Sequence, residues 1–166
     1  IELPLGVMQA KFELPPVLRP AQYRLVHQRA DAHSLAEAAS LIANAKNPVL
    51  LLGQGGFVSR AHAALTELAG RMNCPILQTN AVEAVLPGMD DRTFPYSSEV
   101  GAQVASSSDV VLAIGTELGE SLNYGRGHSW KAGNETRRWI YVERDADASG
   151  VNRPIDVPLV GDLRDI

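Results

Sequence analysis

Two apolar runs, "VLLLG" (49–53) and "DVVLAIG" (109–115), each stop at a glycine. Four or five apolar residues without alternation suit a strand buried on both faces. Such strands need cover on both sides, so they belong to a parallel sheet between helical layers. Three further segments fit the same description: "CPILQT" (74–79), "RWIYVE" (138–143) and "VPLVGD" (157–162). Helical patterns lie between the runs. "SLAE" at 34 reads as a capping box, with Leu35, Ala38, Ala39, Ile42 and Ala45 at helical spacing behind it. Ser59 is placed to cap a second helix carrying Ala61, Leu65, Leu68, Ala69 and Met72 on one face, and a short helix is predicted over 99–107. The stretch 81–101 reads as one long turn-rich connection. Strands alternating with helices predict an open, doubly wound, Rossmann-like α/β fold with helices on both faces.

Composition narrows the function classes. The chain has 166 residues, with 45% hydrophobic and 20% charged and a net charge of −4, and shows no basic patch for nucleic acid or anionic membrane. A single cysteine, Cys74, offers no disulfide framework, fits a reducing cytoplasm and reads as a core thiol. No apolar run approaches the 18 residues of a membrane span. Residues 1–30 carry Pro4, Pro15, Pro16 and Pro20 without periodicity, which predicts an extended linker ahead of a domain over 31–166. The opening "IELPLGVM" reads like the end of a strand, as if cut from something longer.

Ligands in open α/β sheets sit beyond the carboxyl ends of the strands. Gly53, Gly115, Glu143 and Gly161-Asp162 concentrate there. The cluster Gly53-Gln54-Gly55-Gly56 lacks the third glycine of a dinucleotide fingerprint, because Val58 stands in its place, and the second strand ends Gln78-Thr79-Asn80 with no ribose-binding acid. There is no Walker lysine. Glycines here serve either backbone approach to a phosphate or a turn that needs positive φ. "DADASGVNRPID" (145–156) mimics a calcium loop, but Pro154 lies inside it and no helix pair flanks it, so capping carboxylates account for it better. The glycine-rich "NYGRGHSWKAGNE" (123–135) holds Tyr124, Arg126, His128 and Trp130, either as a binding loop or as a mobile connection. His27, His33, His62 and His128 show no metal-ligand spacing, and no nucleophile–base pair stands out. A domain of this kind is not expected to do chemistry alone.

The ordered set "IELPLGVM", "NPVLLLGQGG", "CPILQTN", "LPGMDD", "SDVVLAIGTELGES" and "WIYVERDADASGVNRPIDVPLVGD" resembles the central domain of thiamine-diphosphate-dependent enzymes of the acetolactate synthase and 2-oxo acid decarboxylase type. The resemblance implies a six-stranded parallel sheet that binds FAD in some members, ADP in others and nothing in many. It implies a three-domain homodimer or homotetramer acting on a small 2-oxo acid, with thiamine diphosphate and Mg held outside this segment. "IELPLGVM" would close the preceding domain. Gly53, Gly55 and Gly56 would be the phosphate-approach positions, and Glu143 and Asp145 the strand-end acids. Two departures bear on that site. Glu117 in "GTELGES" stands where flavin-binding members carry an arginine, and Glu-Arg-Asp replaces Asp-Ile-Asp at 143–145. An acid beside a pyrophosphate is repulsive, so the resemblance implies a degenerate nucleotide site. "GTELGES" is also similar to the 5-guanidino-2-oxopentanoate decarboxylase branch, in which Glu117 or Glu120 would lie near the route of a cationic substrate. The rival readings are a free-standing FAD-, NAD- or ADP-binding module of sirtuin-like or electron-transfer-flavoprotein-like kind, and a small hydrolase.

Overall fold

The structure is a computed structural model that describes residues 2–13, 15–19, 27–79, 82 and 86–166. Asn80, Pro20 and most of the 80–85 stretch lie outside the described residues. Six parallel strands form one sheet: β1 (Pro48–Leu52), β2 (Ile76–Gln78), β3 (Thr93–Pro95), β4 (Val110–Ile114), β5 (Arg138–Glu143) and β6 (Val157–Val160). Their spatial order is β3-β2-β1-β4-β5-β6, so the chain reverses direction of travel between β1 and β4. That reversal leaves a crevice at the carboxyl edge. β1 and β4 are in register from Pro48 against Val110 to Leu52 against Ile114.

Alternate residues of each strand face opposite layers. Leu50, Leu52, Leu112, Ile114, Ile140 and Val142 point into one core, covered by α2 (Ala32–Asn44) and α4 (His62–Met72). Val49, Leu51, Val111, Ala113, Trp139 and Tyr141 point into the other, covered by α5 (Glu99–Ser107) and α6 (His128–Lys131). Residues Val49, Leu50, Leu51 and Leu52 are all fully buried, which stabilises the sheet by on the order of 8 kcal/mol at about 2 kcal/mol per side chain. The doubly wound α/β class thus stands as the runs predict.

Several local expectations change. Residues Leu5–Gln9 form a single helical turn, α1, behind Pro4, instead of a strand end; every described residue from 2 to 19 is exposed, and a strand needs a neighbour to bond. Ser34 does not cap α2. Asp31 does, its carboxylate accepting the Ser34 backbone N–H at 2.9 Å, so the helix starts three residues earlier than the capping-box reading. Ser59 does not open a helix either. A five-residue helix, α3 (Gln54–Val58), starts directly at the glycine cluster, and α4 follows with Ala61 at its N-cap. Ser59 instead donates to the Gly56 carbonyl at 2.8 Å and bridges the two helices. The turn-rich stretch contains β3, whose three residues pair with β2. α5 matches the predicted 99–107 span, with Ser98 as its cap.

The 123–135 loop is anchored at Gly125 and Trp130, both buried. Trp130 is fully buried, stacked on Tyr96 (5.7 Å between centroids) and edge-on to Trp139 (4.9 Å). Two guanidiniums bracket this aromatic pair: Arg137 lies 5.4 Å from the Trp130 ring and Arg153 lies 3.8 Å from the Trp139 ring. Burial, followed by repulsion from Arg137 and Arg126, brings Arg153 down to about 10. Arg153 also donates to the Gly125 carbonyl, holding a turn in which Asn123, Tyr124 and Gly125 are all left-handed.

Candidate functional site

The crevice expected at the strand-order reversal is a cleft of about 460 Å³. Its walls come from the end of α3, the Ser59-Arg60 link, Gly115 after β4, Glu143-Arg144 after β5 and the 161–164 turn after β6. Each strand delivers its last residue to the same edge because all six run parallel.

The glycine cluster lies against a second glycine turn. The Gly53 N–H donates to Ile114 O (2.9 Å), Gly55 N–H to Gly115 O (2.9 Å) and Gly56 N–H to Gly53 O (3.1 Å). All three donors are consumed within the protein, so they form no open cradle for a phosphate. The glycines are required for close approach instead. A Cβ on Gly53 would come within 2.3 Å of Gly115 O, and one on Gly115, which sits at φ +58°, within 2.3 Å of Gly56 N. α3 is a single turn that opens directly from this contact.

Of the residues singled out in the sequence, Gly55 and Glu143 line the cleft, while Gly53 and Gly56 are buried in its wall. The Glu143 carboxylate accepts the Arg144 N–H at 2.7 Å. Asp145 is exposed, is not among the lining residues and caps the short 3₁₀ turn Ala146–Ala148 by accepting Asp147 N–H at 3.0 Å. Asp156, at the far end of the calcium-like stretch, binds the Trp139 N–H at 2.8 Å and pairs with Arg138. Glu117 is not among the residues that line the cleft: it lines a separate small hollow with Tyr141 and Asn152, and its carbonyl accepts from Asn152 at 2.8 Å. Burial, with Glu143 and Glu117 adding negative charge, pushes the Tyr141 hydroxyl up to about 12; it donates to Thr116 O at 2.8 Å.

Sequence reasoning missed the charge of the cleft. Arg60, Arg144 and Arg164 line it, against Glu143 and Asp162. Arg144 follows a strand end directly and was findable by that rule. Arg60 was not, because its left-handed backbone (φ 61°) is set by the α3–α4 junction. Arg164 is engaged by Asp162 at 3.0 and 3.1 Å, and the hydrogen bonds from Arg164 hold the Asp162 carboxyl well below the ordinary carboxylate range. His27 adds a contact to Asp165 at 3.1 Å.

The model of the thiamine pyrophosphate enzyme central domain matches residues 35–166. The chain belongs to that family. This central domain is 30% identical to an oxalyl-CoA decarboxylase of Escherichia coli K12 over 131 residues, which is 78% of this chain and 22% of that protein. It is 28% identical to an acetolactate synthase of Arthrospira platensis, with 100% of this chain and 30% of the relative covered. A sulfoacetaldehyde acetyltransferase of Roseovarius nubinhibens is 31% identical over 80% of the chain and 23% of the relative. A solved structure from Mycobacterium smegmatis, ascribed to the thiamin diphosphate-dependent enzymes, superposes with a TM-score of 0.65 at 28% identity, over 90% of this chain and 29% of that one. The central domain thus spans about a quarter of the length of the relatives it matches. Among the described residues, no helix is long and apolar enough to cross a membrane.

Proposed function

We propose that this domain is the non-catalytic middle layer of a longer, cytoplasmic thiamine-diphosphate-dependent enzyme, a 2-oxo acid decarboxylase or an acetolactate synthase-like transferase. The observation that carries this reading is the family match over 35–166 in a chain that spans only about a quarter of its relatives. Flanking domains of the same polypeptide would hold thiamine diphosphate and Mg. When bound, that cofactor would stabilise the negative charge that bond cleavage leaves on the former carbonyl carbon of the substrate. This domain would contribute a rigid sheet and subunit contacts within a homodimer or homotetramer.

The cleft fits a nucleotide poorly, since the glycine N–H groups that would meet a phosphate are bonded to backbone carbonyls. Gly53, Gly55, Gly56, Glu143 and Asp145 then serve architecture, as vestiges of a site that holds FAD or ADP elsewhere in the family. The experiment is to express the native gene in full beside residues 1–166 and to assay both with thiamine diphosphate, Mg and pyruvate or oxalyl-CoA. Turnover is expected from the full product alone. Titrating ADP and FAD into residues 1–166 should show no saturable binding. Turnover by the 166-residue chain would overturn the division of labour, and tight nucleotide binding would overturn the vestigial site.

A further inference from the structure

The glycine-rich loop 123–135 carries a feature that a purely scaffolding role leaves unused. Asn123, Tyr124 and Gly125 are consecutive and all left-handed, at φ 49°, 56° and 63°. Two of the three carry a side chain, and such residues enter that region singly and at a cost. Strained backbone persists where its surroundings over-determine it, and it clusters at binding sites. The holding group here is Arg153, which passes so close to the turn that a Cβ on Gly125 would lie 2.9 Å from its Cδ. What the turn presents is Tyr124, 46% exposed, and Arg126, also exposed.

The charge around the turn is unbalanced. Arg153 is 6% exposed; its Nη1 donates to the Gly125 carbonyl and its Nε to the Pro154 carbonyl at 3.3 Å, which leaves Nη2 without an acceptor among the described residues. The Arg126 side chain has neither a hydrogen-bond nor an ion-pair partner among the described residues. Burial, with repulsion from Arg137 and Arg126, already weighs on the Arg153 proton. The acid that acts on Arg153 is Asp156, whose carboxylate is taken by Arg138 and the Trp139 N–H. Glu117 and Glu120 belong to the same connection after β4, yet neither pairs with Arg126 or Arg153. The hollow that Arg153 shares with Tyr141 and Asn152 has no room for a water molecule, so it encloses no small ligand. A group that meets these cations must come to the rim. Tyr124 stands beside Arg126 there, and Val151 (69% exposed) and Pro154 stand beside Arg153. Arginine and tyrosine with exposed apolar neighbours are what protein-recognition surfaces are enriched in.

We propose that the 123–126 turn, with Arg153 behind it, is a docking surface for an acidic segment of a partner polypeptide, whose carboxylates meet Arg126 and the open Nη2 of Arg153 while its apolar residues cover Tyr124 and Val151. Charge complementarity selects that partner: the surface offers cations without acids in a chain whose net charge is −4. This docking surface is independent of the thiamine-diphosphate reading. The test titrates a fluorescein-labelled peptide, Glu-Glu-Leu-Glu-Glu-Leu, and its counterpart with glutamine for every glutamate, into the native gene product in full, and follows fluorescence anisotropy. The acidic peptide should saturate and bind roughly 10-fold more tightly than the glutamine peptide. Arg126→Gln changes an exposed side chain, so the fold should keep its circular dichroism while the acidic peptide loses roughly 10-fold in affinity. Arg71→Gln removes the same charge from α4, on the other face of the sheet, and should leave binding unchanged. No saturation, equal affinity for the two peptides, binding indifferent to Arg126→Gln, or an equal loss from Arg71→Gln each overturns the docking surface and leaves the thiamine-diphosphate reading standing.

Discussion

Replacing Arg137 with Met tests how much of this fold hangs on one buried cation. Arg137 is 3% exposed and has no carboxylate among its hydrogen-bond partners. Its guanidinium donates to the carbonyls of Ala105, Ser106, Ser108, Trp130 and Ala132, at 2.6 to 3.2 Å. Three of those carbonyls end α5, where a cation also meets the negative end of the helix. Hydrogen bonds to a charged group contribute about 1.5–3 kcal/mol each, while burying an unpaired cation costs several kcal/mol. The desolvation cost is visible in the guanidinium itself, which burial pushes below its ordinary value. Methionine keeps most of the stem packing but leaves up to four carbonyls without a donor, Ala105 O keeping the Ser108 hydroxyl at 2.8 Å, so the net loss works out at about 3–4 kcal/mol. For a domain of this size that is a fall of roughly 10 °C in Tm. Arg137→Lys retains the charge but not the planar fork and should lose about half as much. Thermal unfolding followed by circular dichroism and by Trp130/Trp139 fluorescence reads both. An Arg137→Met protein within ~1 kcal/mol of the parent would refute the reasoning, because it would mean that the cost of burial cancels the hydrogen bonds.

Asp109 accepts the backbone N–H groups of Lys46 (2.7 Å) and Asn47 (3.0 Å) ahead of β1. Burial pushes its carboxyl up, but these and further backbone N–H groups outweigh it and leave the carboxyl below its ordinary 3.8. A depressed carboxyl stabilises the fold above the unfolded value and loses that contribution as pH falls. Asp109→Asn should therefore cost about 1 kcal/mol at neutral pH and flatten the acid limb of a stability–pH curve; an unchanged acid limb would count against it. Gly115→Ala meets Gly56 N at 2.3 Å and holds alanine at φ +58°, so it should cost more than ~2 kcal/mol in chemical denaturation. Arg60→Gly relieves a left-handed residue (φ 61°) on the cleft rim and should raise stability by up to ~1 kcal/mol; a destabilised variant would show that the arginine side chain holds the rim.

Legibility followed burial. β1 and β4 were plain in the sequence because a strand covered on both faces must be apolar throughout. β3 was hidden because "TFP" is three residues long with half-exposed and exposed side chains, and its identity comes from pairing with β2. The cap of α2 moved from Ser34 to Asp31 because two good capping residues lie within one turn and Asp31 takes the Ser34 N–H itself. Arg137 and Arg153 carried no sequence signal, since arginine ordinarily reads as surface. The crevice itself was legible from the strand-end glycines, and Arg144 from its strand end, but Arg60 and Arg164 depended on how the α3–α4 junction and the last turn fold back.

The contact between the Gly53–Gly56 turn and Gly115 has an evolutionary corollary. Two backbones touch there with no room for a side chain on either, so packing alone forbids most replacements whether or not anything ever binds. A lineage that abandons a nucleotide is free to change the residues that touched it, yet must retain the glycines that suggested it. Glycine patterns at such a crossing record the geometry of the sheet's turning point, so the glycines alone do not report a ligand.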